Sequence, residues 1–372
     1  VEDMLIEKTL NNIPHDIVQA SDYENLAKRF IEPATLAYIA CGAGNETTLE
    51  KNLSAFDQVE LLQRVFVDCR QGTTQTIILG QTLRHPIMLA PVAAQKLVHS
   101  KGEVATAQAA DALEAGMIAS TLSSVPLEDI ANNTQAAKWF QLYFQSRKED
   151  SLGLIRRAEQ AGYQAIVVTL DTPIQTLSKG AQKLGFQLPA DAQPINLANQ
   201  QTSEQVTLKQ HQSVIFQGMM REAPLLQDIE WLKTQTKLPI LVKGVMHPKD
   251  IAQLLALNID GIIVSNHGGR ALDGTPSALS LLPTIRAQVG QDFPLLFDGG
   301  VRSGSDVFKA IALGANAVCI GRLQMYALAV CGAKGVAHLL KLLRDELELC
   351  MALTGCPTVQ AINQDVILSK EQ

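Results

Sequence analysis

The stretch Pro294–Arg322, "PLLFDGGVRSGSDVFKAIALGANAVCIGR", decides the architecture. It opens on a short apolar run, turns at two glycines and continues in a segment of helical spacing that stops at Gly314. A second apolar run then ends in Gly321 and Arg322. Strand, helix and strand in succession make a parallel β-α-β unit.

The same rhythm runs back through most of the chain. "PIMLAPVA", "MIAST", "WFQLY", "AIVVTLD", "PILVKG" and "GIIVSN" are strand-like, and segments such as "GEVATAQAADALEAG" and "LGLIRRAEQAG" between them are helix-like with glycine stops. With the two runs above, the strands number roughly eight, enough to close a (β/α)8 TIM barrel. A doubly wound open sheet shares this alternation, but no "GxGxxG" opens a helix after a strand. The expected fold is therefore α/β: a (β/α)8 barrel over residues 76–372 with an N-terminal helical segment, residues 1–75, packed on it as one domain. Within that segment Ser21–Gln63 reads as helical. "TIILG" reads as one strand of a preliminary hairpin, and a C-terminal helix closes the chain.

One connection is too long. After strand 4, between "TLDTP" and "PILVKG", lie about sixty residues where a few would serve. Its polar, glutamine-rich part, about residues 175–221, is expected to be an insertion: a lid, a partly disordered segment or an oligomer contact.

The bulk numbers exclude several functions. A net charge of -6 offers no clustered basic face for nucleic acid. The 6 cysteines form no C-x-x-C pair and read as free thiols in a reducing compartment. The 7 histidines lack metal-ligand spacing, so no metal is expected. No apolar run approaches the ~18 residues of a membrane span. "VEDMLIEKTLNNIPHDI" lacks the pattern of a secretory signal, and "SKEQ" is no peroxisomal address. A cytoplasmic protein without a membrane partner is the expectation.

Barrel enzymes work at the C-terminal ends of their strands. Those ends supply Pro91, Ser120, Gln141 with Tyr143, Asp171, Lys243, the Ser265–Arg270 cluster, Asp298 with Gly300, and Gly321 with Arg322. After the last two strands, glycines, a helix start and an arginine recur, the means of holding a phosphate with backbone N–H groups and a guanidinium. Arg302 and Arg322 are the candidates. An ordinary tight turn with a surface arginine would look the same in one loop; two loops at the expected strands favour the phosphate. His267 could act as a general base and Arg270 could fork onto a carboxylate. Asp171 could fix the histidine's tautomer, and Lys243 could face developing negative charge. Taken singly, these are a loop histidine, a snorkelling lysine and an aromatic wall at Tyr143. Together they point to oxidation or proton abstraction beside a phosphorylated cofactor.

"LVKG", "SNHGGR", "DGGVRSGSDVFKAIALG" and "IGR", in that order, resemble the FMN-dependent L-2-hydroxy acid oxidase and dehydrogenase family. Glycolate oxidase, lactate oxidase, mandelate dehydrogenase and the flavin domain of flavocytochrome b2 belong to it. The likeness runs from about Tyr23 to Gly355. It implies FMN at the barrel mouth, a small 2-hydroxy acid as substrate with lactate first, and a homotetramer. It leaves oxidase against dehydrogenase with another electron acceptor open, and oxygen is the favoured acceptor because no haem domain or membrane-binding insertion is present. It also implies roles: His267 as base, Asp171 as its partner, Lys243 near the flavin, and Arg270, Tyr23 and Tyr143 as substrate contacts. Pro91, Val92, Ala93, Ser120, Gln141, Thr169, Lys243, Ser265, Asp298, Gly300, Arg302, Gly321 and Arg322 match the FMN contacts.

Two departures stand out. After "DTP" the family carries an arginine that helps hold the substrate carboxylate, and here Ser178 and Lys179 lie near that place. Leu122 falls where plant glycolate oxidases have tryptophan, which leaves room for a longer side chain. Two rivals differ in kind. Another FMN barrel, such as type 2 isopentenyl-diphosphate isomerase, would lack the His/Arg pair. A flavin-binding protein that has lost turnover is favoured only by the missing arginine.

Overall fold

A computed structural model of the chain describes residues 6–174, 178–198, 200 and 208–368. Eight parallel strands close on themselves in it: β3 (Ile87–Leu89), β4 (Gly116–Ser120), β5 (Lys138–Leu142), β6 (Ile166–Thr169), β7 (Ile240–Lys243), β8 (Gly261–Val264), β9 (Leu295–Asp298) and β10 (Ala317–Ile320). They run in sequence order, and β10 pairs back onto β3. The barrel expected from the alternation is present.

A period of two sorts the side chains of every strand. Met88, Ile118, Trp139, Val167, Leu241, Ile263, Leu296 and Cys319 form one buried cluster inside the barrel. Their strand neighbours, among them Leu89, Ile166, Val168, Val242, Ile262 and Val318, pack outward in the larger cluster shared with the helices. Two residues beyond each interior position stand Ala90, Ser120, Gln141, Thr169, Lys243, Ser265, Asp298 and Gly321. The pleat that fills the barrel with apolar side chains therefore places a mostly polar ring on top of them.

A hairpin plugs the opposite end. β1 (Thr76–Ile78) and β2 (Gln81–Leu83) pair antiparallel around Leu79 and Gly80, both at positive φ (52° and 74°), the backbone of a tight two-residue hairpin turn. Ile78 and Leu83 join the interior cluster, and the buried Trp139 donates its indole N–H to Gln81 at 3.0 Å.

Before the hairpin come α1 (Asp22–Leu26), α2 (Pro33–Ala40) and α3 (Thr47–Ser54). The helical expectation for Ser21–Gln63 holds only as far as a short turn at Phe56–Gln58. Beyond it, "VELLQRVFVDC" has no helical stripe and runs extended beside the chain's end, bridging Leu61 to Ile367.

The final helix, Arg322–Thr354, is long and apolar enough to cross a membrane by length and composition. Two thirds of its most apolar window is buried, and the helix breaks at Cys331 and Gly332, where φ/ψ leave the helical region. It is a core helix in two pieces, packed on the helices Glu103–Ala112 and Gly304–Ala312.

Within the insertion a helix forms at Lys179–Lys183 and a short turn at Ile195–Leu197. Asn196 ties that turn to the barrel by accepting the Leu127 N–H. Residues 175–177, 199 and 201–207 of the expected insertion lie outside the described residues.

Candidate active site

A cavity of about 370 Å³ opens at the polar ring. Of the residues expected there, Pro91, Val92, Ala93, Ser120, Tyr143, Lys243, His267, Arg270, Asp298, Gly321 and Arg322 line it. Gln141, Thr169 and Ser265 belong to the ring itself and are buried.

Ser265 organises the β7–β9 side of the ring. Its Oγ accepts from Lys243 Nζ at 2.9 Å and from the His267 N–H at 3.0 Å, and donates to Asp298 Oδ1 at 3.1 Å. Lys243 Nζ also lies 3.2 Å from Asp298 Oδ2. Burial alone would drive this ammonium towards neutrality, but the Asp298 and Asp171 carboxylates outweigh it and raise its pKa above the ordinary lysine range. Lys243 is thus a fixed cation on the barrel axis side of the cavity.

His267 Nδ1 lies 2.8 Å from Asp171 Oδ1. Burial opposes ionisation of Asp171, yet the neighbouring His267 and Lys243 lower its pKa overall. An ionised carboxylate on Nδ1 fixes the proton there and leaves Nε2 as the basic nitrogen. Gly244, at φ 93°, makes room for it, because a Cβ at that position would sit 2.4 Å from Asp171 Cγ.

The two arginines expected at the phosphate divide. Arg322 lines the cavity and donates to the carbonyls of Ile39, Gly268 and Cys41. Burial and then the Arg270 guanidinium lower its pKa to about 10, so it remains a cation at neutral pH. Arg302, expected at the phosphate, instead pairs with Glu24 of α1 at 2.7 Å and is not among the lining residues. Nothing in its own loop signals that α1 would bring a carboxylate to it. Gly300, also expected at the cofactor, faces α3: a Cβ there would meet the Asn52 carbonyl oxygen at 2.2 Å.

Tyr23 requires a correction. It is fully buried, and its hydroxyl bonds His338 Nδ1 at 2.9 Å, fastening α1 to the last helix away from the cavity. Tyr38, at the C-terminal end of α2, lines the cavity in its stead. Its ring lies under the Arg270 guanidinium at 5.3 Å and stacks on Phe186 of the insertion at 4.3 Å. Neither Tyr38 nor Phe186 was picked out from the sequence. The signal lay in "AYIACGAG", spanning the last turn of α2, whose Tyr38, Ile39 and Cys41 carbonyls accept from Arg270 and whose Ile39 and Cys41 carbonyls accept from Arg322 as well.

Ser178 and Lys179 do not replace the missing arginine. Ser178 caps the helix Lys179–Lys183 by accepting the Ala181 N–H, and Lys179 donates to Asn45 Oδ1 at 3.2 Å. Leu122 does line the cavity.

The donor set fits FMN. Among the described residues, four buried side-chain polar atoms lack a hydrogen-bond partner, and three of them, Gln141 Nε2, Thr169 Oγ1 and Asp171 Oδ2, stand at this mouth. Buried polar atoms are seldom left unmatched without a ligand to meet them. An amide donor, a hydroxyl and the Lys243 ammonium suit the N–H and C=O edge of a flavin ring, while Arg322 and the helix start behind Gly321 suit its phosphate.

Barrel, polar ring and His–Asp pair together define a flavin-dependent oxidoreductase. The FMN-dependent dehydrogenase model matches residues 27–369, and the chain belongs to that family, with FMN as its cofactor. It is 50% identical over 357 residues to the L-lactate oxidase of Alicycliphilus denitrificans, covering 96% of this chain and 98% of that one. With the L-lactate oxidase of a Roseobacter species it shares 43% identity over 94% of each chain. A crystal structure of mandelate oxidase with (S)-2-phenylpropionate superposes with a TM-score of 0.83 at 37% identity, covering 93% of this chain and 96% of the other.

Proposed function

We propose that the chain oxidises L-2-hydroxy acids to 2-oxo acids, with L-lactate as the preferred substrate and molecular oxygen as the acceptor, releasing hydrogen peroxide. The observation that carries this reading is the His267–Asp171 pair at 2.8 Å on a cavity that also holds Arg270 and Lys243. The L-lactate oxidases at 50% and 43% identity support the choice of substrate.

Bound FMN supplies the two-electron acceptor. Arg270, with the hydroxyls of Tyr38 and Tyr143, takes the substrate carboxylate. That docking brings the 2-hydroxyl to His267, whose Nε2 accepts a proton while Asp171 stabilises the resulting imidazolium. Lys243 offsets negative charge that arises on the cofactor side of the cavity. The apolar walls at Leu122 and Ile174 keep water from the reacting carbon. The same reading makes the enzyme a cytoplasmic homotetramer, which cell fractionation and light scattering check.

An anaerobic visible spectrum, taken before and after L-lactate and again after air is admitted, tests the function. Bleaching followed by recovery with peroxide is the expected result. Bleaching without rapid recovery would overturn the oxygen acceptor, and yellow protein that no 2-hydroxy acid bleaches would overturn the reaction.

A further inference from the structure

His267 holds an unusual backbone. Its φ is 57°, in the left-handed region that side chains other than glycine seldom occupy, and Gly268 and Gly269 follow at 60° and 76°. Such a conformation persists only where its surroundings dictate it. The surroundings here include a pair of interlocked amides. Asn52 Nδ2 donates to Asn266 Oδ1 at 2.8 Å, and Asn266 Nδ2 donates back to Asn52 Oδ1 at 2.9 Å.

Both amides are oriented by the backbone. The Gly269 N–H donates to Asn266 Oδ1 at 3.1 Å, and the Ala278 N–H donates to Asn52 Oδ1 at 3.3 Å. Each oxygen must therefore face its backbone donor, which turns each NH2 group towards the other residue's oxygen. Both side chains are buried, at 2% and 6% exposure, where water cannot stand in for a lost partner.

Asn52 lies on α3, outside the barrel, and α3 is seated without slack. Asp273 accepts the Asn45 and Thr48 N–H groups and the Thr47 hydroxyl at its start. A Cβ on Gly269 would lie 2.7 Å from the Leu49 nitrogen, and one on Gly300 would collide with the Asn52 carbonyl. The N-terminal segment thus bears directly on the turn that carries the base.

We propose that Asn52 is a positioning residue for the reaction: through Asn266 it holds the Ser265–Arg270 turn in the conformation that aims His267 at Asp171 and the cavity. This rests on the role given to His267 above. Asn52 touches neither substrate nor cofactor and acts only through that turn.

The test compares the FMN-loaded full chain with Asn52→Ala and Asn52→Asp. Rapid mixing measures the anaerobic reduction rate per bound flavin with whichever 2-hydroxy acid reduces the parent fastest. Hydrogen exchange of peptides spanning residues 265–275 supplies a readout independent of turnover. Asn52→Ala is expected to slow reduction by about 100-fold, as displacement of a catalytic group by an ångström does. Half-saturation by substrate should rise far less than the rate falls, because the Tyr38, Ile39 and Cys41 carbonyls anchor the Arg270 guanidinium independently of the turn, and exchange in the turn should rise. Asn52→Asp keeps the acceptor for Ala278 and Asn266 and loses one donation, so a drop of roughly tenfold is expected. A reduction rate within about twofold of the parent in the variants that fold, with unchanged exchange in the turn, overturns the proposal, even if thermal stability falls. Should Asn52→Ala not fold, Asn52→Asp carries both measurements. Should no acid reduce the parent, the proposed reaction fails and the exchange readout alone decides: faster exchange at 265–275 upholds the positioning, unchanged exchange overturns it.

Discussion

The rings of Tyr38 and Phe186 stack 4.3 Å apart and 9° from parallel, joining the end of α2 to the insertion after β6 at the edge of the cavity. Because the Arg270 guanidinium also lies over Tyr38, the insertion braces the cation proposed to hold the substrate carboxylate. Tyr38→Phe preserves the stack and removes one hydrogen bond to a carboxylate, so KM for L-lactate should rise about tenfold with kcat little changed. Phe186→Ala removes the brace; an aromatic pair of this kind contributes about 0.5–1.5 kcal/mol, which predicts a rise in KM of roughly two- to tenfold. Steady-state kinetics on both variants would check the order of these effects.

His267→Gln and Asp171→Asn address the proton. Loss of a positioned general base costs about 100- to 10,000-fold, and His267→Gln should slow anaerobic flavin bleaching by that amount while the protein stays yellow. Asp171→Asn leaves the ring in place but removes the charge that stabilises an imidazolium. It should act in the same direction and more on kcat than on KM. Bleaching at the parent rate in either variant would exclude the proposed base.

Much of this site was legible because strand pleating is periodic. Once "PILVKG" and "PLLFDGG" read as barrel strands, Lys243 and Asp298 had to fall on the mouth, two residues above Leu241 and Leu296. The errors arose where no such period applies. Tyr23 and Tyr38 lie in one helical stretch, and only three-dimensional packing separates the tyrosine that bonds His338 from the one that lines the cavity. Arg302 was assigned from its own loop, whereas its partner Glu24 lies 278 residues away. Asn52 was invisible for the same reason, being a polar residue on a short helix until Asn266 meets it. Contacts between the N-terminal segment and the barrel loops are not encoded in any local pattern.

Stability should depend on pH through His85, remote from the catalytic mouth. It is fully buried just before β3, with Nε2 3.2 Å from the Leu113 carbonyl oxygen and Nδ1 accepting the Ile87 N–H, the bonding of a neutral ring. Burial, and then the Arg344 charge, lower its pKa from 6.5 to about 4. The unfolded chain therefore takes up this proton before the folded one does. Stability from this group is complete above pH 6.5 and is lost as pH falls towards 4, by roughly 3 kcal/mol in all. Urea midpoints measured across that window should fall in the parent and fall less in His85→Asn, which keeps an acceptor for Ile87 but does not titrate. Parallel slopes would place the acid sensitivity elsewhere.

Leu122 bears on which acid is used. Its backbone is fixed on both sides, its N–H donating to Ser120 Oγ at 3.1 Å and its carbonyl accepting the Ala94 N–H at 3.1 Å, so a new side chain there must project from the same point on the wall. Leu122→Trp would fill cavity space with a rigid ring and leave Arg270, Tyr143 and His267 untouched. The smallest substrate needs none of that space, and a chain of several methylenes does. A methylene that can no longer be buried costs about 1 kcal/mol, so kcat/KM for 2-hydroxyoctanoate should fall at least tenfold relative to glycolate. Competition between the two acids on one sample of each protein gives that ratio directly. An unchanged ratio would mean that the side chain of the substrate points away from Leu122, towards Ile174 and the insertion.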